Sequence, residues 1–158
     1  MALINGTSTA LTITAANLAS GSARSSAAVT TGATQNLTDI LLTVNALTTA
    51  TAPSGNKQII VYGYASEDGT NYSGDSGTVD NVDGTDKALT ALGSPTNLVF
   101  LGTVYCAQGA AAVTVHGVFS VARAFGFIPR KWGIVLYNDL GTALGATISA
   151  TYSEQYYN

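Results

Sequence analysis

Acidic side chains gathered in one stretch are the part of this sequence that comes nearest to a chemical site. Six of the nine Asp and Glu residues lie between positions 67 and 86, namely Glu67, Asp68, Asp75, Asp80, Asp83 and Asp86. Carboxylate oxygens suit Ca²⁺, so Asp80, Asp83 and Asp86 are candidate calcium ligands. An EF-hand does not fit, because Asp83 and Gly84 at loop positions five and six would put Val79 where the first ligand is needed. We interpret the stretch as a solvated loop, with a calcium site or contact with a basic partner as alternatives.

Catalytic chemistry would have to rest on His116, the single histidine, or on Cys106, the single cysteine. Strand alternation places His116 on a solvent-facing side, and no second histidine or cysteine pair completes a zinc set. The same alternation puts Cys106 on a buried face with Leu98, Phe100 and Val104, as is usual for a free cysteine. Phosphate-binding glycine motifs are missing from the sequence. We expect a protein that is not an enzyme and that has no cofactor other than the candidate calcium.

Aromatic side chains offer a third kind of site. Tyr72 and the C-terminal Tyr152, Tyr156 and Tyr157 could supply platforms on which sugar rings stack. Tyrosine is also enriched where two proteins bury each other's surfaces. Glycan binding and protein contact both remain open from the sequence.

Charge is scarce along the whole chain. Asp, Glu, Lys and Arg make up 9% of the 158 residues, against about 25% in an average soluble domain. A surface with so little charge is typical of a protein that packs against other molecules. The formal net charge is −3, yet outside residues 67–86 three acids stand against six bases, so that part is mildly basic. Six scattered bases are too few to predict a nucleic-acid partner.

Apolar runs are interrupted every few residues by Thr, Ser, Gly or Asn, so none predicts a membrane span. The first basic residue is Arg24, and the charged start of a secretory signal is therefore missing. We expect synthesis to end in the cytoplasm, with no membrane partner.

Hydrophobic alternation with a period of two recurs through the sequence and indicates a β protein. It predicts eight strands, at residues 9–15, 25–31, 37–47, 57–65, 98–106, 113–121, 132–138 and 147–156. The third has one apolar face, made by Ile40, Leu42, Val44 and Ala46, which indicates a sheet with one covered side. The fourth is apolar or aromatic on both faces, so both must be covered. One helical turn is predicted within residues 85–93.

These elements predict a single all-β domain over residues 1–158. Its expected architecture is a two-sheet antiparallel sandwich, jelly-roll-like, with an immunoglobulin-like sandwich as the alternative. Residues 1–22 are either an extended N-terminal arm or an ordinary first strand. An arm would lend backbone hydrogen bonds to a neighbouring sheet edge.

Three segments carry a resemblance to a known class of proteins. They are YASEDGTNY at residues 64–72, NLVFLGTV at residues 97–104 and FIPRKWGIVLYN at residues 127–138. Together the segments resemble small structural proteins of tailed bacteriophages. The resemblance implies a virion component: a jelly-roll decoration or cement protein on the outside of the head, often trimeric, bound to the major capsid protein and without an active site.

Candidate contacts with such partners are basic, apolar or aromatic side chains at the two ends of the chain and around the predicted strand entrances. They are Leu3, Ile4, Arg24, Arg123, Arg130, Lys131, Tyr156 and Tyr157. Two other functions remain as alternatives: a tail, neck or fibre subunit that binds glycans, and a calcium-stabilised binding module.

Overall fold

The protein folds as two antiparallel β-sheets packed face to face, as shown by a computed structural model. The structure describes residues 1–32, 36–49, 51–74, 80–89, 92–93, 96–106 and 111–158. The strands are β1 (Leu3–Asn5), β2 (Thr9–Leu11), β3 (Ala23–Ser25), β4 (Val29–Thr30), β5 (Leu37–Thr48), β6 (Gln58–Ser66), β7 (Lys87–Leu89), β8 (Val99–Tyr105), β9 (Thr114–Ser120), β10 (Lys131–Asp139) and β11 (Leu144–Tyr157). One short helix, α1, spans Val121–Phe125.

The strand order is that of a jelly roll. Sheet A has the order β1–β11–β5–β9 with β2 also on β11, and sheet B has the order β7–β3–β10–β6–β8 with β4 also on β10. Strands β1 and β2 act as one interrupted strand on β11, and β3 and β4 do the same on β10. With β7 set aside, eight strands remain in two groups of four, whose chain order is first–eighth–third–sixth and second–seventh–fourth–fifth. The predicted all-β sandwich is confirmed, and the order is not that of the immunoglobulin-like alternative.

The core lies between the two sheets. On β5, Ile40, Leu42, Val44 and Ala46 are buried while the alternate side chains are half-buried, which confirms the predicted one-sided pattern. Opposite them, β6 and β10 contribute a set of fully buried side chains that includes Ile59, Val61, Trp132, Ile134 and Leu136. Full burial of one such side chain stabilises the fold by about 1.5–3 kcal/mol.

A second apolar layer covers the outer face of sheet B, which explains why β6 is apolar on both sides. Tyr64 of β6 is fully buried there with Val82, Leu98 and Val135. The Tyr64 hydroxyl donates to the Ser26 carbonyl at 2.7 Å. Burial is the main reason why the pKa of Tyr64 lies well above its usual value.

Two local predictions are wrong. Val121, predicted as the last residue of a strand, is instead the first residue of α1, because Ser120 caps the helix by accepting from the Arg123 amide and Gly126 ends it at φ 76°. The helical turn predicted within residues 85–93 is instead the strand β7, which pairs with β3. Residues 90–91 of that prediction lie outside the described residues.

The predicted face of Phe100 is also wrong. Cys106 and Val104 are buried in the main core as expected, but Leu98 is buried in the second apolar layer, on the other face of sheet B, and 58% of Phe100 is exposed. The register of β8 against β6 shifts by one residue, because Gly102 opposes Val61 while Phe100 opposes the next residue, Tyr62. This β-bulge reverses the alternation and turns Phe100 outward.

The N-terminal segment pairs with β11 of its own chain. Leu3 opposes Tyr157 and Thr9 opposes Tyr152, so β1 and β2 lie along one edge of β11. Between them the Gly6 amide donates to the Glu154 carbonyl at 2.7 Å. A Cβ on Gly6 would lie 2.9 Å from that carbonyl oxygen, so the close approach requires glycine.

Candidate interaction surface

Exposed apolar side chains lie where the edge strands β8 and β9 meet beside α1. Phe100 is 58% exposed, Val118 is 64% exposed and Phe127 is 52% exposed. We call these three residues, together with Arg123, the α1 edge. Single exposed apolar residues are ordinary on a protein surface, but several close together mark a contact site.

The short helix that builds this edge is fixed at several points. The Asp39 carboxylate accepts from the Ala122 amide at 3.1 Å and from its neighbour Ile40 at 2.7 Å. Phe125 packs over Gly63 of β6, where an added Cβ would lie 2.7 Å from its ring. The ring of Phe125 also meets that of Phe127 edge to face, with centroids 5.8 Å apart. The α1 edge is therefore presented by a well-supported element.

Two grooves border α1. The first has a volume of about 310 Å³ and is lined mainly by apolar atoms, including those of Val99, Phe125 and Phe127. The second has a volume of about 490 Å³ and includes Phe100, Val118 and Arg123. Grooves of this size accept single side chains of a partner better than a flat surface does.

The basic candidates Arg123, Arg130 and Lys131 lie around these grooves. Arg123 and Arg130 are exposed, and Lys131 is half-buried. Arg130 donates to the Glu67 carbonyl at 3.3 Å, beside the first groove. Within the described ranges the ion pairs are Arg24–Asp86 and Lys87–Asp83, so none of the three bases is in one.

The other contact candidates lie elsewhere. Leu3 and Tyr157 oppose each other where β1 pairs with β11 and are 52% and 41% exposed, and Ile4 opposes Tyr156 one step along. Arg24 is used inside the chain, where its Nε donates to Asp86 at 2.6 Å. The structure therefore separates the candidates into two opposite edges of the sandwich and one internal ion pair.

The three calcium candidates each bind different donors of the chain. Asp80 is buried and accepts from the Gly93 amide and the Thr96 hydroxyl, at 2.5 and 2.6 Å. Asp83 accepts from Thr85 and from Lys87, and Asp86 from Thr14 and Arg24. Among the residues that the structure describes, no three His, Cys, Asp or Glu side chains form a group that could hold a metal ion. Asp75 and Val79 lie outside those residues.

Hydrogen bonds decide the charge state of two of these carboxylates. Burial acts to raise the pKa of Asp83, but hydrogen bonds from Lys87 and Thr85 outweigh it and lower the pKa to about 2. Burial likewise acts to raise the pKa of Asp86, and the hydrogen bonds from Thr14 and Arg24 again lower it. Both groups are thus held ionised as parts of the fold.

The single histidine and cysteine lie where the sequence predicts. His116 is exposed on β9, and its Nδ1 lies 2.5 Å from the Asn45 amide oxygen on β5. Cys106 is buried in the main core. The first is a surface hydrogen bond between neighbouring strands and the second is part of the packing.

The candidate stacking tyrosines also separate. Tyr72 packs edge to face on Tyr64 in the second apolar layer, with ring centroids 5.6 Å apart. Tyr152 and Tyr156 lie together in a groove at the edge opposite α1. Tyr157 is exposed beside them on β11.

Sequence reasoning missed the apolar part of the α1 edge. Phe100 was expected to face inward, and Val118 and Phe127 were not singled out. One signal was present: a serine followed six residues later by glycine, Ser120 and Gly126, is the pattern of a capped short helix.

Comparison with known proteins gives no family. No family model, curated protein or solved structure matches the chain. In the part of the chain that is described, no helix is long and apolar enough to cross a membrane.

Proposed function

We propose that this chain is a non-enzymatic structural protein of a phage particle, a decoration or cement protein that binds the capsid surface and bridges capsid subunits. The observation that carries the proposal is the α1 edge, where exposed Phe100, Val118 and Phe127 border two grooves beside Arg123. Jelly-roll domains recur in viral shells and in lectins, and the fold is compatible with this role without requiring it.

The chemistry of the edge indicates what the capsid surface would offer. Apolar side chains of the capsid protein would enter the two grooves, and carboxylates around them would meet Arg123 and Arg130. A surface with little charge elsewhere lets neighbouring copies lie close together on the shell. Modest affinity at each contact is enough, because a protein that bridges several subunits gains from all of them at once.

Other parts of the proposal follow from the same role. The partners are the major capsid protein and further copies of this chain, with a trimer as the expected assembly, and the location is the virion after synthesis in the host cytoplasm. Leu3, Ile4 and Tyr157, at the edge opposite α1, are then candidate contacts between copies.

Binding of the purified protein to particles assembled without it tests the proposal. Full burial of a phenylalanine contributes about 1.5–3 kcal/mol, so burying the exposed half of Phe127 contributes about 1 kcal/mol, or about fivefold in Kd. We expect Phe127→Ala to lose about that much affinity. The double variant Phe127→Ala/Arg123→Ala should lose more.

Tyr105→Ala is the matched control, because Tyr105 is a 66% exposed aromatic residue on β8 that lines neither groove. It should bind particles as the unmodified protein does. If the double variant, shown to be folded by its melting curve, still binds at full affinity, the α1 edge is not the contact.

The second candidate is a tail, neck or fibre subunit that binds glycans, and the groove shared by Tyr152 and Tyr156 favours it. Copy number in purified virions, measured by mass spectrometry, separates the two. Hundreds of copies fit a shell protein, whereas a handful fit a neck or fibre. Absence of the chain from virions contradicts both.

A further inference from the structure

A polar groove opens at the sandwich edge opposite α1, between the β1–β2 edge of sheet A and β4 of sheet B. Its volume is about 230 Å³. The polar groove is lined by threonine hydroxyls, two tyrosines, one carboxylate and two glycines: Gly6, Thr7, Thr9, Thr30, Gly32, Tyr152, Glu154 and Tyr156. The proposed capsid contact does not use it.

The aromatic side of the polar groove is held in place. Tyr152 is half-buried and meets the fully buried Trp132 edge to face, with ring centroids 5.4 Å apart. Tyr152 also lies opposite Thr9 across the β2–β11 pair. Tyr156, four residues further along β11, reaches the same groove. A ring fixed on several sides loses little conformational freedom when it packs against a ligand.

The carboxylate of the polar groove is positioned by the backbone. Oε1 of Glu154 accepts from the Gly32 amide at 2.6 Å. Gly32 leaves room for this contact, because a Cβ there would lie 2.7 Å from Oε2. A carboxylate can accept about four hydrogen bonds, so it can serve hydroxyl donors of a ligand as well as donors of the chain.

The charge of the lining limits the ligand class. No Lys, Arg or His lines the polar groove as described, and Glu154 supplies negative charge, so an anionic ligand is disfavoured. Three threonine hydroxyls and a carboxylate equally disfavour a purely apolar ligand, because such a ligand would displace water from polar groups without offering them hydrogen bonds of its own. An uncharged molecule that carries many hydroxyls and has one apolar face satisfies both sides of the groove.

We propose that the polar groove binds the terminal unit of a neutral saccharide, with Tyr152 and Tyr156 packing against the sugar ring and Glu154 accepting from its hydroxyls. The size of the groove suits one sugar unit better than a long chain. This site is independent of the capsid contact, because it lies at the opposite edge and uses none of the α1 edge residues.

A panel of immobilised neutral and anionic oligosaccharides, probed with the free protein and followed by titration of the best neutral compound, tests the proposal. We expect binding to at least one neutral saccharide. Tyr156→Ala and Glu154→Gln should each weaken that binding about tenfold or more. Tyr105→Ala, an exposed tyrosine outside the polar groove, is the matched control and should bind as the unmodified protein does.

Gly32→Ala gives a second, independent variant. The added methyl group displaces the Glu154 carboxylate while both tyrosines stay in place, so affinity should fall although the melting temperature changes little. Three results would overturn the proposal: no neutral saccharide bound, binding of anionic saccharides alone, or unchanged affinity in both Tyr156→Ala and Glu154→Gln. Because the assay needs no particle, it fails or succeeds separately from the capsid-binding test.

Discussion

Asn138 should be one of the side chains on which the stability of the sandwich depends most. It is fully buried on β10, and its Nδ2 donates to the Leu18 carbonyl at 2.8 Å and to the Thr142 carbonyl at 2.9 Å. Its Oδ1 accepts from the Leu140 amide at 3.0 Å. One side chain thus joins the N-terminal segment and the β10–β11 turn to the centre of sheet B.

The loss of stability in Asn138→Ala depends on which hydrogen bonds remain to each partner of the Asn138 side chain. The Leu18 carbonyl still accepts from the Leu144 amide at 2.9 Å, so it keeps a hydrogen bond. The buried Leu140 amide and the half-buried Thr142 carbonyl lose the partner described above, which costs about 1–3 kcal/mol for the first and about 1–2 kcal/mol for the second. We expect a total loss of about 2–5 kcal/mol in the free energy of unfolding. In a chain of this size that lowers the melting temperature by about 4–20 °C.

Urea unfolding followed by circular dichroism measures this loss, and two further variants interpret it. Asn138→Leu fills the space without restoring the hydrogen bonds, so it should be about as destabilised as Asn138→Ala. Asn158→Ala removes an exposed asparagine and should be neutral. If Asn138→Leu proves as stable as the unmodified protein, packing and not hydrogen bonding is what this position supplies, and the reasoning is wrong.

Two more predictions concern sheet B and its ion pairs. Gly133→Ala should destabilise the fold by about 1–3 kcal/mol, because a Cβ there would overlap the Tyr64 hydroxyl. A melting temperature equal to that of the unmodified protein would contradict this prediction. The fold lowers the pKa values of Asp83 and Asp86. Their ionised forms therefore stabilise the folded protein fully above the unfolded pKa of about 3.9. This stabilisation is lost as the pH falls through the folded pKa, which is about 2 for Asp83. The urea midpoint should therefore decrease between about pH 4 and pH 2, and it should decrease less steeply in Asp86→Asn. An equal pH dependence in the two proteins would show that the Arg24–Asp86 ion pair does not contribute to stability.

Much of the fold could be predicted from alternation alone. The apolar side chains of β5 and the two covered faces of β6 give a sandwich with a further layer on one side, and both are present. Alternation is informative because successive side chains of a strand point to opposite faces of the sheet. Alternation does not show where the period of two breaks; the one sign of the bulge that turns Phe100 outward is Gly102, a glycine inside the strand.

The candidate sites were predictable as residue types and not as groupings. Arg123 and Arg130 were expected at a contact and lie beside the two grooves, but the apolar residues there depend on α1 and on the β8 bulge. Tyr152 and Tyr156 were expected as platforms for sugar rings. Glu154 was not, because its carboxylate is positioned in the polar groove by the amide of Gly32, which is far away in the sequence. Long-range approaches of this kind are decided by topology, which local pattern does not carry.

The N-terminal strand has a protective role beyond its own stability. Strands β1 and β2 lie along β11, a strand of 14 residues whose outer edge would otherwise carry a row of unpaired amides and carbonyls. Such an edge is a template for pairing with another chain, and the 14 residues of β11 would make it a long one. We therefore expect removal of residues 2–11 to expose this edge and to favour edge-to-edge association between copies of the truncated protein.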